Sequence, residues 1–162
     1  MDTTKKQVIA CVIGTRPELI KMAPVIFLLQ QSTWARVYLI NTAQHRHLLD
    51  DMLSLFQLTP DIDLDSMTAN QSLGQLTGNL CATLDELVSE HHFDAILAQG
   101  DTTTVFVASL IAFYHKIPFG HVEAGLRTYN IREPFPEEIN RVLTTQGKRM
   151  SVQKMPFKTS CA

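Results

Sequence analysis

Two kinds of hydrophobic pattern alternate along the chain. From Gln7 to Ile13 it reads Gln-Val-Ile-Ala-Cys-Val-Ile, and Gly14 ends the run. A short, continuous apolar run rich in β-branched residues predicts a strand buried on both faces, as in parallel sheets. Pro17 then stands where a helix can begin, and Ile20, Ala23, Pro24, Phe27 and Leu28 recur at helical spacing. Pro24 is expected to distort that helix, because it lacks a backbone donor. Arg36 to Thr42 predicts a second strand, and His45 to Leu55 a helix with Leu48, Leu49, Met52, Leu53 and Phe56 on one side. Gln57 to Asn70 reads as a loop. Ser72 to His91 places apolar residues at 73, 76, 80, 84, 87 and 88, the stripe of a long amphipathic helix. Asp94 to Ala98 predicts a third strand, Thr102 to His115 a helix and Ile117 to Val122 a fourth strand. Pro134 and Pro136 precede a helical stretch that starts at Glu137.

This alternation predicts an α/β fold: a Rossmann-like parallel sheet with right-handed crossovers and helices on both faces. In such sheets ligands bind at the carboxyl ends of the strands. After Gln146 the composition changes. Residues 147–162 are basic, contain no acid and show no period. The expected organisation is one domain over 1–146 and a disordered tail over 147–162.

Composition narrows the class without naming a chemistry. At 162 residues, with 45% hydrophobic and 19% charged, the chain suits one globular domain. A net charge of −2 gives no reason to expect nucleic acid or an anionic membrane surface as partner. No apolar run approaches the roughly 20 residues that span a bilayer, and the start has no secretory h-region. The three cysteines, Cys11, Cys81 and Cys161, are far apart and lack metal-site spacing. Ordinary packing fits Cys11 and Cys81, and a reducing cytoplasm is expected.

Candidate chemistry falls at the predicted strand ends. The first strand ends in Gly14-Thr15-Arg16-Pro17-Glu18. Here a helix N-terminus would offer free N–H groups to an anion, Arg16 is a bidentate phosphate partner and Lys21 adds a second positive charge. The alternative is a plain strand–helix turn with a surface arginine. The motif is neither G-x-G-x-x-G nor a Walker loop, so no nicotinamide cofactor or P-loop ATP is expected. The third strand ends in Gly100-Asp101-Thr102-Thr103-Thr104, where Asp101 or Thr102 caps the next helix or Asp101 works as an acid or base. The fourth ends in Gly120-His121-Val122-Glu123-Ala124-Gly125-Leu126-Arg127-Thr128. A sheltered Glu123 would have a raised pKa suited to proton transfer, with His121 on the same strand face. Alternatively, Glu123 pairs with Arg127 or Arg132 and braces the loop. Glu137 and Glu138 open the last helix, serving its dipole or facing the same cleft as Asp101 and Glu123. Carboxylates with Arg and His around one sheet edge suit proton transfer at carbon.

Taken together, these strings resemble the non-hydrolysing UDP-N-acetylglucosamine 2-epimerase family. The resemblance also runs through Ile20-Lys21-Met22-Ala23-Pro24, Thr42-Ala43-Gln44-His45-Arg46 and Pro136-Glu137-Glu138-Ile139-Asn140-Arg141, and covers about residues 7 to 146. Arg-Pro-Glu after Gly14-Thr15 favours the non-hydrolysing branch over the hydrolysing epimerases. The resemblance implies the N-terminal domain of a GT-B fold, with the active site between two domains. It implies interconversion of UDP-N-acetylglucosamine and UDP-N-acetylmannosamine by elimination and re-addition of UDP, with no cofactor and no metal. It implies Asp101, Glu123 and Glu137 as the active-site acids, with Glu123 or Asp101 as the base at C2. Arg16, Lys21, His121, Arg127 and Arg141 fall to substrate binding. Gln44 falls to a regulatory UDP-N-acetylglucosamine. The family's second domain, which supplies most uridine and diphosphate contacts, has no counterpart in these residues. A truncated N-terminal half is therefore expected, forming homo-oligomers or pairing with an epimerase C-terminal domain.

Overall fold

The computed structural model describes residues 5–42, 46–64 and 71–151. In chain order its elements are β1 (Gln7–Ile13), α1 (Arg16–Gln31), β2 (Ala35–Asn41), α2 (Arg46–Leu55), β3 (Ile62–Asp63), α3 (Leu73–Glu90), β4 (Ala95–Gln99), α4 (Thr103–Tyr114), β5 (Phe119–Val122) and α5 (Glu137–Ser151). The strands form one parallel sheet in the order β3-β2-β1-β4-β5. β1 therefore lies in the middle, with Ile9 opposite Val37 on one side and Ala95 on the other.

The two-residue period of β1 divides the core. Ala10 and Val12 turn to one face and pack with Leu80, Leu84 and Leu87 of α3 and Val105, Ala108 and Ile111 of α4. Ile9, Cys11 and Ile13 turn to the other, against Leu19, Met22 and Ile26 of α1 and Leu49 of α2. Helices thus cover both faces, and the continuous apolar run of β1 is explained by burial on each side. Cys11 belongs to this packing, and burial pushes its thiol up to about 12, so it is inert as a nucleophile.

Helix boundaries follow their caps. Ser72 starts α3 with a capping box: its Oγ accepts from Gln75 N–H at 3.2 Å, while Gln75 Oε1 accepts from Ser72 N–H at 2.8 Å. α4 is capped by Thr102, whose Oγ1 accepts from Val105 N–H at 3.4 Å. Of the two capping candidates it is thus Thr102 that caps, and the Asp101 side chain points elsewhere.

One detail differs from the sequence expectation. β3 lies inside the stretch read as loop; two residues are too few to show a period. α1 continues through the exposed Pro24. α5 runs to Ser151, and residues 152–162 of the expected tail lie outside the described residues. Among the described residues, no helix is long and apolar enough to cross a membrane.

Candidate active site

The strand order reverses beside β1, where β2 departs to one side and β4 to the other. At such a switch point, outward loops separate and leave a crevice beyond the carboxyl ends of the strands. The loops after β1, β4 and β5 meet there around a cavity of about 290 Å³.

The β1 loop is fastened by Glu18. This side chain is buried, and its Oε2 accepts from Gly14 N–H at 2.6 Å and Thr15 N–H at 3.0 Å. Its Oε1 accepts from the Thr102 hydroxyl at 2.6 Å, joining the start of α1 to the loop after β4. Glu18 thus occupies the Gly14 and Thr15 donors, the two N–H groups just ahead of the first turn of α1. Burial pushes its carboxyl above the ordinary range, although the Thr102, Gly14 and Thr15 hydrogen bonds pull the other way.

One turn along α1, Lys21 reaches Glu123. Its Nζ lies 2.9 Å from Glu123 Oε1, and Gln99 Nε2 donates to Oε2. Glu123 lies just past the end of β5 with φ 59°, in the left-handed region rarely used by non-glycine residues. Two expectations are overturned here. The Glu123 carboxyl is held below, not above, the ordinary range, chiefly by the Lys21 hydrogen bond and charge with help from Gln99, against a smaller burial effect. Its cation is Lys21 from α1, and among the described residues neither Arg127 nor Arg132 braces it.

Arg127 instead serves Glu138. Its Nε donates to Glu138 Oε1 at 2.7 Å, and the N–H groups of Thr128 and Tyr129 donate to the same carboxylate at 3.1 and 3.2 Å. Burial alone would raise the Glu138 carboxyl. The Arg127 and backbone hydrogen bonds, with the Arg127 charge, overcome that and hold it at about 2. Arg127 also lies 5.2 Å over the Tyr129 ring. Arg141, one turn further along α5, pairs with Asp101 through Nη2 and approaches Glu138 at 3.5 Å through Nη1. Asn140 Nδ2 donates to the Asp101 carbonyl at 2.9 Å, so α5 grips both ends of Asp101.

Of the expected site residues, Lys21, Asp101, His121, Glu123, Arg127 and Arg141 all line the cavity. His121 is buried, with Nε2 2.6 Å from the Gly100 carbonyl. Arg16 and Glu137 are not among the lining residues: Arg16 is exposed at the start of α1, and Glu137 is half-buried at the start of α5. Gln44 lies outside the described residues. Sequence reasoning missed Glu18, Gln99 and Asn140 as organisers. It left Glu138 open between a dipole role and the cleft and did not foresee its pairing with Arg127, because partners far apart in sequence leave no periodic signal. Chemically, the cavity joins an ionised carboxylate beside an ammonium to a second carboxylate beside a guanidinium. That combination suits removal and return of a proton together with balance of charge on a leaving anion.

The fold and this cleft define a class: a Rossmann-like domain resembling the N-terminal domain of a GT-B fold. Within that class, the chain belongs to the UDP-N-acetylglucosamine 2-epimerase family, whose model matches residues 28–152. The UDP-N-acetylglucosamine 2-epimerase of Neisseria meningitidis is 54% identical over 134 residues, which is 83% of this chain and 36% of that protein. That of Bacillus subtilis is 50% identical over 140 residues, 86% of this chain and 37% of the relative. A crystal structure of the Neisseria meningitidis enzyme bound to UDP-GlcNAc matches with TM-score 0.82 at 51% identity, covering 87% of this chain and 39% of that one. The chain thus spans little more than a third of the length of these relatives.

Proposed function

We propose that this chain supplies the proton-transfer wall of a non-hydrolysing UDP-N-acetylglucosamine 2-epimerase. The observation that carries the reading is the joint lining of one cavity by Asp101 and Glu123, each with its own cation, at the switch point of the sheet. A carboxylate, Glu123 or Asp101, takes the C2 proton. The C–H electrons form a C1=C2 double bond, and the C1–O bond breaks with its pair leaving on the UDP phosphate. The product pair is 2-acetamidoglucal and UDP. UDP then adds back at C1 while a proton returns to the opposite face of C2. Arg16, exposed at the start of α1, would balance the departing diphosphate, and Glu137 would supply a third acid. The whole reaction needs no redox cofactor, since the carbon returns to its oxidation state.

The substrate is proposed from relatives: the Neisseria meningitidis structure is described as bound to UDP-GlcNAc. Because the chain spans about a third of such proteins, turnover is expected only together with the remaining portion. A second reading, an inactive chain that pairs with a full-length epimerase, is favoured by the exposed Leu126, Tyr129, Ile131 and Phe135 beside the site. The test is NMR detection of UDP-N-acetylmannosamine from UDP-N-acetylglucosamine. We expect no product from the chain alone, and product after addition of a relative's C-terminal half. Association with a full-length relative but no product in that mixture would favour the second reading.

A further inference from the structure

Glu123 has partners on both oxygens, and they differ in kind. Lys21 on Oε1 brings charge from a half-exposed side chain of α1. Gln99 on Oε2 brings a neutral amide from inside the sheet, with the residue only 7% exposed. Gln99 is the last residue of β4, and its backbone stands opposite Val122, the residue before Glu123. The sheet register therefore places the amide beside the point where the chain turns into the left-handed conformation of Glu123.

We infer that Gln99 is a positioning residue: its buried amide holds Glu123 Oε2 so that the carboxylate faces the cavity in one orientation. This inference rests on the epimerase reading for its catalytic meaning, but not for its geometry. An amide suits the task because it does not titrate near neutrality and cannot take the proton that Glu123 would accept. A base must be held at its substrate carbon, and a misplacement near 1 Å costs roughly 100-fold in rate. Lys21 alone, on a flexible stem half in solvent, fixes charge better than direction. Among the described residues, the other charged or titratable groups around the same cavity are Asp101 from the β4 loop, His121 from β5, Arg127 from the β5 loop and Arg141 from α5. Asp101 and Arg141 pair with each other, and Arg127 pairs with Glu138, so Lys21 and Gln99 remain the direct partners of Glu123.

The experiment uses Gln99→Met, close in length but without a donor, and Gln99→Glu, close in shape but carrying a second carboxyl. Gln99→His, which can present an N–H at similar reach, serves as the rescue. The first readout is the carboxyl-carbon NMR titration of Glu123 in the full chain, assigned by Glu123→Gln. The Glu123 inflection is expected to rise in Gln99→Met by less than in Lys21→Met. It should rise further in Gln99→Glu, where two carboxyls share a proton, and stay near wild type in Gln99→His. The second readout is activity of the chain assembled with a relative's C-terminal half. Gln99→Met should lose roughly 10- to 100-fold in kcat with little change in KM, and its acid limb should move up with the NMR inflection. An unmoved Glu123 titration in Gln99→Met and Gln99→Glu, with the wild-type amide spectrum retained, overturns the inference. Should Gln99→Met fail to fold, Gln99→Glu decides alone. A wild-type assembly that never exchanges the C2 proton would count against the epimerase reading, while the carboxyl titration still decides the role of Gln99.

Discussion

Glu18 and Glu138 are both buried carboxylates near one cleft, and their surroundings push them in opposite directions. Glu18 receives two backbone N–H groups and a hydroxyl, and burial outweighs them. Glu138 receives Arg127 as well, and the balance reverses. The pH dependence of stability follows from these signs. Glu138 falls from 4.5 to about 2 on folding, so its contribution is complete above 4.5 and disappears as pH falls towards 2. Glu138→Gln should lower the urea midpoint at pH 7 and flatten the loss of stability between pH 4.5 and 2 that the wild type shows. For Glu18 the folded value lies above 4.5, so its contribution is complete below 4.5 and declines as pH rises through the folded value. Glu18→Gln keeps the shape: its oxygen can accept from Gly14 and Thr15, and its amide can donate to Thr102 Oγ1. The variant should match or exceed the wild-type urea midpoint at pH 7 and show a smaller decline above pH 4.5. A midpoint clearly below wild type at pH 7 would show that the ionised carboxylate itself is needed. In the sequence both residues look like first-turn acids. Only the folded chain shows that one carries a guanidinium and the other none from the described residues.

Elements were legible where their burial is periodic or continuous. β1 announced itself by six apolar residues in a row, and α3 by a stripe at three- and four-residue steps, because each meets the core along its whole length. The prediction at this scale is that Leu80→Ala, at the centre of α3 and fully buried, costs about 2–5 kcal/mol in denaturant unfolding. Ser72→Ala, losing an exposed capping box, should cost about 1 kcal/mol by the same measurement. β3 was not legible, since two residues held mainly by main-chain pairing to Ile40 and Asn41 carry no pattern of their own. The strand-end motifs could be placed beforehand because parallel topology sends each carboxyl end to one edge. The choice of partners across that edge could not. Lys21 and Glu123 are 102 residues apart, and no local rule joins them.

For the whole molecule, the sheet order turns three separated loops into one cavity and leaves its outer side bordered by exposed apolar residues. Family membership is secure across most of this chain, yet the chain spans only 36% of the Neisseria meningitidis relative. On the proposed reading, the proton chemistry lies in this chain and the nucleotide is held mainly by the portion that relatives carry beyond it. The most direct measurement is exchange of the C2 proton. The chain and the C-terminal half of a relative are incubated with UDP-N-acetylglucosamine in D2O, and deuterium at C2 is followed by NMR. On this reading, deuterium enters both epimers with the wild-type chain, and exchange falls by at least about 100-fold with Glu123→Gln or Asp101→Asn. Undiminished exchange in the Glu123→Gln/Asp101→Asn double variant would contradict it.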